Sequence, residues 1–320
     1  LLNQGLDVDL YALIDAHGKG RRRVTLNVQF DKNNTQVGFM GKGSHNLLDF
    51  NECPILVDDL SEAKKISRLL SAPFKSSIKK LKINITSFEC GLDCNIQIPN
   101  KHNKLDLNIR MDIASLALKL DLARVSVCDE IIAEHRSPMI KYENAHVYPP
   151  PSGFLQATFK GELIIGDLVI DNARSANKII DLFCGIGSFT LRLARTSSVL
   201  AADVNELQIK SLSNALRYCQ GLKPIITVVR DLYTDPYKAN ELSKFDCAIF
   251  NPPRAGAKAQ AIEISKSGIS IVIAVSCDSA SFARDTAILI NGGYCLKKVI
   301  PIDQFKFTRH IEIVAVFKRK

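Results

Sequence analysis

Asp181-Leu-Phe-Cys-Gly-Ile-Gly-Ser188 is the stretch on which the fold turns. The apolar run 178–182 reads as a strand and 188–196 as a helix, so the two glycines sit at a strand-to-helix turn. Glycine lets a backbone approach a ligand closely, and a helix N-terminus offers unpaired N–H groups. Outward from this turn the chain alternates. Strands are predicted at 178–182, 198–202, 225–229, 246–250 and 269–275, with helices over 160–173, 188–196, 205–219, 256–267 and 279–290. Asn291-Gly292-Gly293 stops the last helix. Two further strands, 294–300 and 310–317, follow with no long helix between them. This rhythm predicts a mostly parallel, doubly wound sheet with an antiparallel edge.

Residues ahead of Pro149-Pro150-Pro151-Ser-Gly read differently. Val24, Leu26, Val28 and Phe30 alternate with polar residues, as do Ile83 and Ile85, Ile96 and Ile98, and Leu105, Leu107, Ile109, Met111 and Ile113. Period two predicts half-buried strands, here interrupted by helices near 57–70 and 112–122. The expected division is a β-rich α+β domain over 1–150 and an α/β domain over 151–320.

Composition narrows the function classes. Of 320 residues, 46% are hydrophobic and 23% charged, a globular balance. No run approaches the roughly 18 apolar residues of a membrane helix, and the first residues carry no secretory leader pattern. A net charge of +9 suits a polyanionic partner and also occurs in many soluble proteins. Lys19-Gly-Arg-Arg-Arg23, Lys79-Lys-Leu-Lys82 and Lys318-Arg-Lys320 are either phosphate contacts or solvated surface. Nine cysteines, several in apolar strand-like runs, fit reduced thiols and a cytoplasmic protein better than a disulfide framework. Cys90 and Cys94 form a CxxxC pair with no second pair or nearby His, a weak metal signal.

Ligands of open α/β sheets bind outside the carboxyl ends of the strands. Three polar loops fall there: 181–188, Asn251-Pro-Pro-Arg254, and Cys277 after the run 269–275. Asp181, Gly185 and Gly187 shape the first. Asp203 ends the next strand, about 20 residues on, where an acidic side chain binds ribose hydroxyls or caps the following helix. Asp231 ends the third strand, within reach of an adenine. A nucleoside-bearing cofactor without a diphosphate to cradle points to S-adenosylmethionine. Taken alone, Cys277 is either a nucleophile or a core thiol.

In this order, Phe154-Leu-Gln156-Ala, Asp181-Leu-Phe-Cys-Gly-Ile-Gly, Asn251-Pro-Pro-Arg-Ala-Gly-Ala, Val-Ser-Cys277-Asp-Ser-Ala-Ser-Phe-Ala-Arg-Asp285 and Asp303-Gln-Phe-x-x-Thr-x-His-Ile-Glu312 resemble the RNA uracil-C5 (5-methyluridine) methyltransferases. The resemblance spans 154–312, about half the chain. It implies a class I (Rossmann-like) S-adenosylmethionine-dependent methyltransferase domain behind the β-rich domain. It also implies that Cys277 is the nucleophile and Glu312 the base, with Gln156 and Asp203 at the cofactor and Asn251 near both cofactor and target base. Uracil C5 is a poor nucleophile. A thiolate added to C6 turns C5 into an enolate carbon, and a base then removes the C5 proton so that the thiolate leaves. Cys277 needs thiolate character, which a nearby cation or the helix at 279–290 would supply. The other reading of Glu312 is a solvated edge carboxylate.

The implied partner is RNA, 23S ribosomal RNA first and transfer RNA second, with the target base out of its stack. No membrane or obligate protein partner is implied. The sequence departs from the family in several places. Asn251 stands where Asp is common, keeping an acceptor and losing the charge, and Ala157-Thr158 replaces a frequent Val-Asn. Cys53-Pro resembles one ligand position of the 4Fe–4S cluster in the 23S-type members, whose three upstream cysteines have no counterpart here. The chain thus resembles a member lacking its N-terminal part, Cys53 is a remnant ligand or a plain buried cysteine, and no cluster is expected. Two other readings remain. One is a non-catalytic RNA-binding protein, favoured by Asn251 and the missing cysteines. The other is an exocyclic amino methyltransferase, which would want an aromatic residue where Arg254 stands.

Overall fold

The computed structural model describes residues 11–31, 34–41, 46–99 and 105–320. They form two compact units. One holds Lys19–Ile140 and Tyr148–Gly153; the other holds the described residues up to Gly18, Lys141–Val147 and Phe154–Lys320. Against a single cut at 150, two early segments thus belong to the later unit. The first strand, β1 (Ile14–Asp15), shows why: its two residues pair in parallel with 302 and 303, far too short a strand to leave a periodic signal.

The β-rich unit is built on a sheet of β2 (Arg23–Phe30), β3 (Thr35–Met40), β4 (Leu47–Leu48), β5 (Lys80–Phe88), β6 (Gly91–Gln97), β7 (Arg124–Val127) and β8 (Glu130–Glu134), ordered β4-β3-β2-β5-β6-β7-β8. Val24, Leu26, Val28, Leu81, Ile83, Ile85 and Ile96 point to one face, where α1 (Ala63–Ser71) and α2 (Leu107–Lys119) cover them. Lys80 and Lys82 point to the other face and are exposed, as the period-two pattern requires.

The expected strand over 105–113 is instead the start of α2. Ile109, Ile113, Leu116, Ala117 and Leu120 all pack on the core at helical spacing, and Leu107 and Met111 of the apparent alternation are exposed. Asp106 caps the helix by accepting from Asn108 N–H at 2.8 Å. In the first basic run Arg22 is 1% exposed, so it serves the interior rather than a phosphate.

Arg124 is buried in β7. Its guanidinium donates to both carboxylate oxygens of Asp93, at 2.9 and 2.8 Å, and to Pro149 O at 3.0 Å. Burial pushes the Asp93 carboxyl up, and the guanidinium opposes this. Removing one partner of such a pair strands a buried charge, so Arg124→Met is expected to cost about 3–5 kcal/mol of the unit's stability, read from urea unfolding. A variant as stable as the wild type would show that the pair is solvated.

In the α/β unit, a short ribbon of β9 (Ile140–Tyr142, whose first residue falls in the other unit) and β10 (Ala145–Val147) precedes α3 (Phe159–Ala173). β11 (Lys178–Leu182), α4 (Thr190–Leu193), β12 (Ser198–Asp203), α5 (Glu206–Leu216), β13 (Ile225–Val229), α6 (Ala239–Leu242), β14 (Cys247–Phe250), α7 (Lys258–Lys266), β15 (Ile271–Ser276) and α8 (Ser279–Asn291) then alternate. β16 (Tyr294–Asp303) and β17 (Glu312–Arg319) finish it.

The sheet order is β1-β16-β17-β15-β14-β11-β12-β13. All neighbours are parallel except those of β17, which runs antiparallel to both β15 and β16. The antiparallel strand is therefore internal, not at the expected edge, because β16 passes over it to the outside. Chain order reverses between β11 and β14, which makes the switch point where α/β sheets bind ligands. Among the described residues no helix is long and apolar enough to cross a membrane.

Candidate active site

The carboxyl ends of β11, β12, β13, β14 and β15 place Asp181, Asp203, Asp231, Asn251 and Cys277 along one edge of the sheet. Because β17 is reversed, its first residue, Glu312, starts from that same edge. Ser276 pairs with Ile313 across the β15–β17 ladder, and one more step sets Cys277 opposite Glu312.

The glycine turn is built as a cradle. Gly185 and Gly187 have φ of +56° and +85°, a region that side chains resist. A Cβ on Gly187 would lie 2.5 Å from Leu212 Cδ1, and one on Gly185 would lie 3.0 Å from Gln208 Oε1. Asp203 fastens the turn: Gly185 N–H donates to its Oδ2 at 2.9 Å and Asn205 N–H to its Oδ1 at 2.8 Å. The cap of α5 is Asn205, which accepts from Gln208 N–H, so Asp203 is not the N-cap. Asp231 likewise folds its own loop, accepting from Tyr233 N–H and Thr234 Oγ1, each at 2.9 Å. The Tyr233 ring tilts against Phe183 with centroids 5.6 Å apart.

Two buried acceptors at this turn lack a protein donor, Asp181 Oδ1 and Gln208 Oε1. A turn that excludes Cβ atoms beside two orphaned acceptors fits a ligand carrying hydroxyl and amino donors, as S-adenosylmethionine does.

Cys277 is half-buried between β15 and α8. Burial pushes its thiol up, Glu312 adds to this, and the Arg254 guanidinium pulls it down. The resting group is therefore the thiol. At the start of α8, Asp278 Oδ1 accepts from Ala280 and Ser281 N–H at 3.1 and 2.9 Å, so these two N–H groups are already engaged. Glu312 is 3% exposed, which rules out the solvated edge carboxylate. Gln304 Nε2 donates to Glu312 Oε2 at 2.9 Å and to Gln156 Oε1 at 2.8 Å.

Comparison with known proteins gives the family. Residues 161–320 match the family model described as tRNA (uracil-5-)-methyltransferase. An RNA methyltransferase of Brucella suis, itself uncharacterized, is 36% identical over 326 residues, covering 100% of this chain and 76% of the relative.

The chain belongs to this family.

Its activity is S-adenosylmethionine-dependent methylation of uracil C5 in RNA. A 23S rRNA (uracil(1939)-C(5))-methyltransferase of Colwellia psychrerythraea is 28% identical over 327 residues, covering 93% of this chain and 68% of the relative. Among solved structures, the Pyrococcus abyssi tRNA (uracil-54, C5)-methyltransferase in complex with S-adenosyl-L-homocysteine has the same fold. The TM-score is 0.73 at 20% identity, over 98% of this chain and 79% of that one.

The cysteines outside the site are of another kind. Cys94 is fully buried in the core, with its thiol pushed up by burial; Cys90 Sγ donates to Ser137 O at 3.6 Å; Cys53 is half-buried. Cys94, named with Cys90 as a weak metal signal, is thus a packing residue. Among the described residues no group of three or more His, Cys, Asp or Glu is placed to hold a metal ion.

Three contributors carried no sequence signal of their own. Gln304 lies inside a quoted motif without an assigned role. Arg254 acts on Cys277 only through the fold. Asp285 accepts from Ala257 N–H at 2.7 Å and from Arg284, which itself donates to Ala255 O at 3.0 Å, so this pair pins the 251–257 loop.

Asp181 generates a pH prediction. It is fully buried, and Thr190 Oγ1 donates to its Oδ2 at 2.6 Å. Burial first and the Asp203 charge second push its carboxyl up to about 7 from 3.8. A folded value above the unfolded one gives stability that is complete below pH 4 and lost as pH rises through 7. Asp181→Asn cannot ionise. Its stability relative to wild type should therefore rise between pH 4 and 7 and level off at a gain of up to about 4 kcal/mol. Urea melts at pH 5 and pH 8 check this; an equal difference at both would show that Asp181 is ionised throughout.

Proposed function

We propose that this enzyme methylates a uridine of 23S ribosomal RNA through a covalent bond between Cys277 Sγ and uracil C6. The observation that carries it is the β15–β17 register, which sets a half-buried thiol opposite a buried carboxylate at the ligand edge of the sheet. In this reading Cys277, once deprotonated to solvent, adds to C6, and the C5=C6 π electrons move onto C5 and the O4 enolate. S-adenosylmethionine, when bound, supplies the electrophilic methyl group that C5 takes. Glu312 then accepts the C5 proton, the C5=C6 bond re-forms, and the thiolate is expelled. Arg254, which favours the thiolate, supports the first step.

Gln156, Asp181, Gly185, Gly187, Asp203, Asp231 and Asn251 would hold the cofactor. Asp203 would accept ribose hydroxyls while keeping its two backbone partners, since a carboxylate offers about four acceptor positions. The β-rich unit is proposed to contact RNA through the exposed Lys79, Lys80 and Lys82. Support for a ribosomal substrate comes from the Colwellia relative; transfer RNA is the alternative the experiment separates.

The test uses transcripts of 23S rRNA and of tRNA made with 5-fluorouridine, whose fluorine cannot be abstracted as a proton. Wild-type protein with S-adenosylmethionine should form a denaturation-resistant complex with the 23S transcript and little with tRNA. Cys277→Ala should form none. A complex with Cys277→Ala would remove that residue from the mechanism, and trapping on tRNA alone would reassign the substrate.

Asp203→Ala is expected to weaken S-adenosylmethionine binding by about 1–3 kcal/mol, the range for hydrogen bonds to a charged group, measured by calorimetry. Unchanged affinity would move the ribose elsewhere.

A further inference from the structure

Gln304 joins the two halves of the site. It directly follows β16 and is 1% exposed. Ile302 pairs with Glu312, so the end of β16 lies beside the start of β17. The backbone fixes which way the Gln304 amide points. Ala157 N–H donates to its Oε1 at 3.1 Å, so the oxygen must face that group and the NH2 must face the other way. Its two donors are then used in full, one on Glu312 Oε2 at 2.9 Å and one on Gln156 Oε1 at 2.8 Å. A flipped amide would set NH2 against a backbone N–H and its oxygen against a carboxylate. The space around the amide is closed as well: a Cβ on Gly161 would lie 2.7 Å from Gln304 Oε1 and 3.3 Å from Gln304 Cβ.

We propose that Gln304 is a positioning residue that holds the Glu312 carboxylate for the C5 proton and ties it, through Gln156, to the cofactor side of the pocket. This rests on the reading of Glu312 as base and Gln156 as cofactor contact. A donor fixed on a buried carboxylate is a charge-assisted hydrogen bond. It holds the group in one place. The same amide turns the NH2 group of Gln156 away from Gln304. A displacement of Gln156 on cofactor binding is therefore felt at Glu312 through a single side chain.

Gln304→Met keeps the length of the side chain and removes both donors. With the transcript that wild type methylates, carrying ordinary uridine, the methyl should still be transferred while adduct breakdown slows. Turnover is expected to fall about 10- to 100-fold, the scale of a misplaced catalytic group, and a denaturation-resistant RNA–protein adduct should accumulate. A role confined to folding would lower adduct formation and turnover together. Gly161→Ala would press on Gln304 Oε1 and also on the α3 cap Thr158 Oγ1, at 2.7 and 2.8 Å, so it displaces Gln304 without altering it and is read in the same way once its helical content matches wild type; failure of one variant to fold leaves the other informative.

Glu312→Gln is the control. If it accumulates adduct while both variants turn over like wild type, or lose adduct and turnover in parallel, Gln304 does not position the base. If Glu312→Gln accumulates none, the base assignment falls and the role of Gln304 with it.

Discussion

One reversed strand makes the site possible. In a sheet of parallel strands all ligand-facing groups come from carboxyl ends, where side chains stand on flexible loops. β17 enters this sheet backwards, and its first residue arrives at that edge paired on one side, with the next residue paired on the other. Glu312 pairs with Ile302, and Ile313 with Ser276, so a buried carboxylate is placed by backbone geometry. The one-residue precision of that register matters, because a slip would turn Glu312 to the other face of the sheet.

Around this edge the charges are arranged against one another. Asp181 sits without solvent beside Asp203, and Cys277 sits beside Glu312. Each arrangement raises the pKa of one member, and each has a countering group: Thr190 for Asp181, Arg254 for Cys277. Such opposition costs stability and leaves the protonation of these groups responsive to what binds next to them.

The strands and helices of the α/β unit were legible because each is long enough to show its period, and the glycine turn because it needs conformations that only glycine takes cheaply. What escaped reading was set by pairs distant in sequence. β1 contributes two residues, too few for any period. α2 carries Leu107 and Met111 outward, which imitates strand alternation until Ile113 and Ala117 are seen to share a buried stripe. β17 is legible as a strand, while its place inside the sheet depends on β16 crossing over it. At the site, Cys277 and Glu312 draw their expected roles from the motifs that resemble the family. Gln304, an uncharged amide in a short loop, acquires meaning only from the partners that the fold brings to it.

The position of β17 also bears on how the molecule is made. It is central in the sheet and late in the chain, so a growing polypeptide must present β15 and β16 before the strand that separates them exists. Until residues 312–319 emerge, both strands expose hydrogen-bonding edges able to pair with each other or with another chain. Completion of the sheet and arrival of Glu312 are then one event during synthesis. A nascent chain gains its ligand-side carboxylate at the same moment that the open edges of β15 and β16 are closed.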